Sequence, residues 1–80
     1  MTAVDDDQFE HIVGDVLGIA PMTMSDDLTA EDVETWDSFA QVNLMVALEE
    51  AFGVQFDGET FMTLQSIGEL RTALERASER

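Results

Sequence analysis

The sequence contains no cysteine and no lysine, and only one proline, one histidine and three arginines. Without cysteine, neither a disulfide nor a thiolate metal site can reinforce a core that is modest for a chain of 80 residues. The same absence fits a reducing compartment. Three cations (Arg71, Arg76, Arg80) against 18 acidic residues leave a formal net charge of −15, so no basic patch exists to hold a nucleic-acid backbone or an anionic membrane. No apolar run approaches the roughly 20 residues that span a bilayer. Met1-Thr2-Ala3-Val4 runs directly into Asp5-Asp6-Asp7, without the basic and apolar regions of a signal peptide. These absences lead to the expectation of a single soluble, cytoplasmic domain that attracts basic patches on other proteins, mainly through faster association.

High net charge with low hydrophobicity would signal disorder, but 45% of the residues are apolar and they recur with helical spacing. Phe9, Ile12, Val13, Val16 and Leu17 form one stripe, with Asp5, Asp6 and Asp7 at its positive N-terminal end and Gly18 as its stop. Ile19 to Asp37 has no sustained period and reads as a long ordered loop pinned by Ile19, Leu28 and Val33. Asp37 or Ser38 caps a second helix that runs to about Phe52 and is closed by Gly53. Asp57-Gly58-Glu59-Thr60 reads as a turn, Phe61–Leu64 as one short helical turn, and Val54–Phe56 as extended at most. Ser66 and Glu69 match a capping box, and Ile67, Leu70 and Leu74 supply the stripe of a last helix ending near Ala77. The expected fold is all-α: four helices, three longer and one short, with the long loop between the first two.

At about 100° per residue the second helix has two apolar groups. Leu44, Met45, Leu48 and Phe52 face one side, as a core stripe does; Phe39, Val42 and Val46 lie on another. An edge helix of a small bundle needs one buried stripe, so the second group either packs under the long loop or forms a patch, rimmed by carboxylates, that receives a partner.

Asp37-Ser38-Phe39, followed by Val42, Leu44, Ala47-Leu48-Glu49-Glu50 and Phe52, resembles the Asp-Ser-Leu segment and following helix of acyl carrier proteins. Leu17-Gly18-Ile19 resembles the end of that family's first helix, and Phe56 to Leu64, Ile67 and Leu74 its third and fourth, so the resemblance covers nearly the whole chain. It implies a non-enzymatic carrier, monomeric, whose Ser38 bears 4′-phosphopantetheine received from coenzyme A through a phosphopantetheinyl transferase. The arm's thiol would hold acyl groups as thioesters for acyl-loading and acyl-processing enzymes of a lipid, polyketide or related pathway. Asp37, Phe39, Val42, Val46, Glu49 and Glu50 would serve docking, and Leu44, Met45, Leu48 and Phe61 would shelter cargo between the helices. Phe39 stands where leucine is usual, Trp36 where a small or polar residue is usual, and Ala40 and Asn43 where carboxylates are often found. The loss of those two carboxylates points to a free-standing carrier with dedicated partners. An aminoacyl or peptidyl carrier is the nearest alternative, and an unmodified acidic adaptor is the alternative of another class.

Other chemistry finds less support. His11 has no Gly-x-Ser-x-Gly elbow near Ser38 to serve and reads as a surface residue. Asp26 to Asp37 lacks the central glycine of a calcium loop, and Asp57-Gly58-Glu59 is too short for the ligand set. No specific metal site is expected, and Glu49-Glu50 reads as a solvated face.

Overall fold

The computed structural model describes residues 5–78. Among them the chain forms α1 (Asp6–Leu17), α2 (Ser38–Phe52), α3 (Gly58–Phe61) and α4 (Ile67–Ser78), with a 3-10 turn at Pro21–Thr23. Met1 to Val4 and Arg80, on which part of the charge and leader reading rests, lie outside the described residues.

Each long helix begins and ends where local chemistry directs. The Asp5 carboxylate accepts the N–H groups of Asp7 (3.1 Å) and Gln8 (3.3 Å) at the start of α1, satisfying donors that have no partner within the helix. Gly18 and Gly53 close α1 and α2 in the left-handed conformation, at φ 72° and 65°, which a residue without Cβ adopts without strain. At α4 the Ser66 hydroxyl accepts Glu69 N–H (3.1 Å), while the Glu69 carboxylate reaches back to Gln65 N–H (2.7 Å). The capping box is therefore present with its return bond displaced one residue upstream, and the helix runs to Ser78.

The register of α3 differs from the sequence expectation. Its residues are Gly58–Phe61, so the stretch read as a turn is the helix, and Met62 to Leu64 leave it. Asp57 decides this: its carbonyl accepts Phe61 N–H at 2.8 Å and its carboxylate takes the Thr60 hydroxyl at 2.7 Å. Thr63 and Leu64 then bond back to Thr60 and Phe61 in tighter i→i+3 turns.

Phe9, Val13 and Leu17 of α1 meet Leu44 and Leu48 of α2, Phe61 of α3, and Ile67, Leu70 and Leu74 of α4 in one buried cluster, with Val33 and Trp36 added from the loop. Met45 and Phe52 pack against its edge. The long loop is held by backbone pairing that no periodicity announces. Thr29 and Ser66 form an isolated antiparallel bridge, flanked by Ala30 N–H to Gln65 O (2.8 Å) and Ile67 N–H to Leu28 O (2.9 Å). Gly68 sits where this loop crosses α4; a Cβ there would meet Asp26 Cβ and O at 3.2 Å.

Arg71 offsets part of the acidic excess. Its guanidinium pairs with Asp6, with Asp26 (3.2 Å) and, more distantly, with Glu10 (3.8 Å), and lies 4.8 Å over the Phe9 ring. One arginine thus ties α1, the loop and α4 together, yet the chain keeps its net −15. Self-repulsion of that size is relieved as the Debye length falls from about 10 Å at 0.1 M salt to about 3 Å at 1 M. Monovalent salt is therefore expected to raise Tm in a thermal melt, a gain of about 1 kcal/mol corresponding to about 4–8 °C in a domain of this size. A Tm that fell with salt would mean that the Arg71 pairs outweigh the repulsion.

Candidate functional site

Ser38 is the first residue of α2 and is exposed. Asp37, not Ser38, is the N-cap: its Oδ1 accepts Ala40 N–H at 2.9 Å and its carbonyl accepts Gln41 N–H at 2.9 Å. The N–H groups of Ser38 and Phe39 have no partner among the described residues. They lie at the positive end of a 15-residue helix, an arrangement that accommodates a phosphate ester. The Ser38 hydroxyl likewise has no partner, and His11 is occupied on α1, its Nδ1 2.8 Å from Asp7 O. No nucleophile–base pair of the kind that activates a catalytic serine is present among the described residues. Replacing Asp37 with alanine is expected to cost about 0.5–2 kcal/mol through loss of the cap. Urea unfolding checks this; an unchanged midpoint would show that the cap does not hold α2.

A groove of about 360 Å³ opens beside Ser38, between the end of the long loop, α2 and the segment after α3. Trp36, Gln41 and Leu64 are among the residues that line it. Trp36 is buried, as a loop anchor should be, and its indole N–H donates to Gln41 Oε1 at 2.5 Å. Gln41 is 4% exposed and donates from Nε2 to Phe61 O (2.7 Å) and Leu64 O (3.0 Å). By helical spacing Gln41 falls on a flank of α2 between its two apolar groups, where nothing in its own position marks it. A polar residue within reach of a tryptophan whose indole needs an acceptor was the available signal.

The rest of α2 resolves the choice left open by its two apolar groups. Phe39 is 77% exposed, Val42 42% and Val46 44%, so the long loop does not cover them. Asp37 at the cap of α2 and Glu50 on the helix are exposed. Glu49 is half-buried, and its Oε2 accepts Phe56 N–H at 2.9 Å, which fastens the chain after α2 to the helix end. Ala40 is buried against the core while Asn43 is exposed, so a carboxylate at position 40 would be forced inward. Of the residues expected to shelter cargo, Leu44 and Leu48 are fully buried in packed contact and Met45 is half-buried. Phe61 also lines an open groove of about 890 Å³ between α3 and α4, which Leu44, Met45 and Leu48 do not reach. Among the described residues no helix is long and apolar enough to cross a membrane.

Residues 7–74 match a family model described as a phosphopantetheine attachment site. Among solved structures the fold is similar to that of a holo acyl carrier protein from Geobacter metallireducens, with a TM-score of 0.80, 24% identity, and coverage of 94% of this chain and 86% of that one. No curated protein sequence matches the chain.

Proposed function

The chain belongs to the phosphopantetheine attachment-site family, a family of carrier domains rather than enzymes, and from that premise we propose that Ser38 is the attachment point. The observation that carries the proposal is the exposed Ser38 hydroxyl at the mouth of α2, beside two unpaired N–H groups and an open groove. In the modification, Ser38 Oγ forms a phosphodiester bond at the pantetheine phosphorus of coenzyme A. The adenosine bisphosphate leaves, and the hydroxyl proton passes to a base of the transferase. Once attached, the group supplies a thiol on which acyl units are held as thioesters.

What this chain's own residues contribute is presentation. The unpaired Ser38 and Phe39 N–H groups would hold the phosphodiester, and Asp37 fixes the first turn while adding negative charge toward basic partners. Phe39, Val42 and Val46 supply the apolar contact with the transferase and with acyl-loading and acyl-processing enzymes. Glu50 lies on the rim, and Glu49 contributes charge from a side chain already bonded to Phe56. The chain acts as one monomeric, cytoplasmic carrier domain. Its pathway is a specialised one, because the exposed, uncharged Asn43 removes a carboxylate from the surface that partners meet, whereas Ala40 is buried and lies off that surface. An aminoacyl carrier uses the same attachment chemistry and differs only in cargo.

Incubation with coenzyme A and a broad-specificity transferase is expected to add about 340 Da, the mass of one phosphopantetheine arm, to the wild-type chain. Ser38→Ala is expected to gain nothing. A wild-type chain that stays unmodified while a control carrier is converted would refute the proposal.

A further inference from the structure

Gln41 lies three residues after Ser38, on the buried side of α2. Its amide joins three segments: it accepts from Trp36 at the end of the long loop and donates to Phe61 O at the end of α3 and to Leu64 O in the segment after it. Trp36, Gln41 and Leu64 together line the groove in which Ser38 lies, so this hydrogen-bonded seam forms part of that groove's wall. Leu44, Leu48, Phe61 and Leu70, in the same buried cluster as Trp36, are 0–1% exposed. Neither groove described above reaches Leu44, Leu48 or Leu70.

We propose that the Trp36–Gln41 seam is a gate that excludes arm-borne alkyl chains from the core, so that this carrier holds short or polar acyl groups outside its helices. The proposal rests on Ser38 being the attachment point. An alkyl chain passing between α2 and α3 beside Ser38 must part the seam. That leaves Trp36 Nε1–H and Leu64 C=O facing hydrocarbon, which offers them no hydrogen bond. It must also displace side chains already in close contact, since a packed interior holds no spare volume for several methylenes. A short acyl group, or one bearing hydroxyl or amide functions, meets neither obstacle in the open groove. The seam therefore selects cargo by withholding shelter.

The experiment loads wild type from acetyl- and octanoyl-coenzyme A with the transferase, with intact mass confirming each product. Leucine methyl spectra, Trp36 indole N–H exchange and Tm are then compared. Acetyl and octanoyl forms are expected to share one Tm, one protected Trp36 indole N–H and unshifted Leu44, Leu48 and Leu70 methyls. Octanoyl-specific shifts at those leucines, faster Trp36 exchange or a raised Tm would overturn the proposal. Gln41→Ala removes the seam and leaves room, so its octanoyl form is expected to shift the same methyls while its acetyl form does not; identical forms would show that Gln41 is not the gate. Should that variant not fold, the wild-type comparison decides, and Gln41→Thr, smaller and still polar, takes its place. Absence of any mass gain would instead defeat the Ser38 premise, an outcome distinct from cargo entering the core.

Discussion

Phe61→Ala is expected to cost about 3–5 kcal/mol of folding free energy, the range for truncating a buried phenylalanine. At roughly 0.05–0.15 kcal/mol per residue the whole domain has only about 4–12 kcal/mol to lose. The reason lies in the size of α3. A helix of four residues has almost no stability of its own, so it stands only because Phe61 is anchored. That side chain is 1% exposed and its ring lies 4.9 Å from Phe56, tilted by 51°. Truncation removes the aromatic contact and leaves a cavity in the cluster formed by Leu44, Leu48 and Ile67. Urea unfolding of wild type and variant gives the number. A loss below about 1 kcal/mol would mean that the neighbours collapse into the space, and that α3 is held by something other than Phe61.

Gln41→Leu is expected to cost about 2–4 kcal/mol, although leucine is of similar size and more apolar. The cost comes from what stays behind. Phe61 O keeps Leu64 N–H as a partner at 3.1 Å, but Trp36 Nε1–H and Leu64 O lose the only partners that the described residues give them. A buried group deprived of its partner loses about 1–3 kcal/mol. Because Trp36 is the chain's one tryptophan, its fluorescence and its indole N–H exchange report the same event locally. A variant as stable as wild type, with an equally protected indole, would show that water or a rearranged loop satisfies these groups.

Both predictions fall on contacts between segments distant in sequence, which is where sequence reading was weakest. The first two helices were legible because their causes are local: a stripe at i, i+3 and i+4, an aspartate before each first turn, a glycine after each last one. Asp37 and Ser38 were equally good candidates for the second cap, and geometry chose Asp37 because its carboxylate reaches Ala40 N–H. The register of α3 is not legible because Asp57-Gly58-Glu59-Thr60 has turn composition, and what extends it into a helix is the Asp57 bonds to Thr60 and Phe61 together with the burial of Phe61. In the sequence the long loop shows only its apolar pins, Ile19, Leu28 and Val33. Val33 is indeed buried, but the pairing of residues 28–30 with 65–67 is backbone chemistry that carries no side-chain signature. Gln41 is not legible in the sequence because an amide on a helix flank usually faces solvent; its burial depends on Trp36 folding back over it. Glu49 and Glu50 looked alike in sequence, yet only Glu49 has a buried-side partner in Phe56 N–H. The exposed Phe39, Val42 and Val46 were legible as a group, and whether the loop covered them required the folded chain.

The central claim, that Ser38 bears the arm, is tested most directly by mapping the modification to one residue. The scarcity of arginine makes a glutamate-specific protease the suitable tool. Cleavage after Glu34 and Glu49 releases Thr35–Glu49, whose only hydroxyl side chains are Thr35 and Ser38. After treatment with coenzyme A and transferase, this fragment is expected to be heavier by about 340 Da, with fragmentation placing the mass between Asp37 and Phe39. An unmodified Thr35–Glu49 fragment, or added mass on Thr35 or any other segment, would contradict the account.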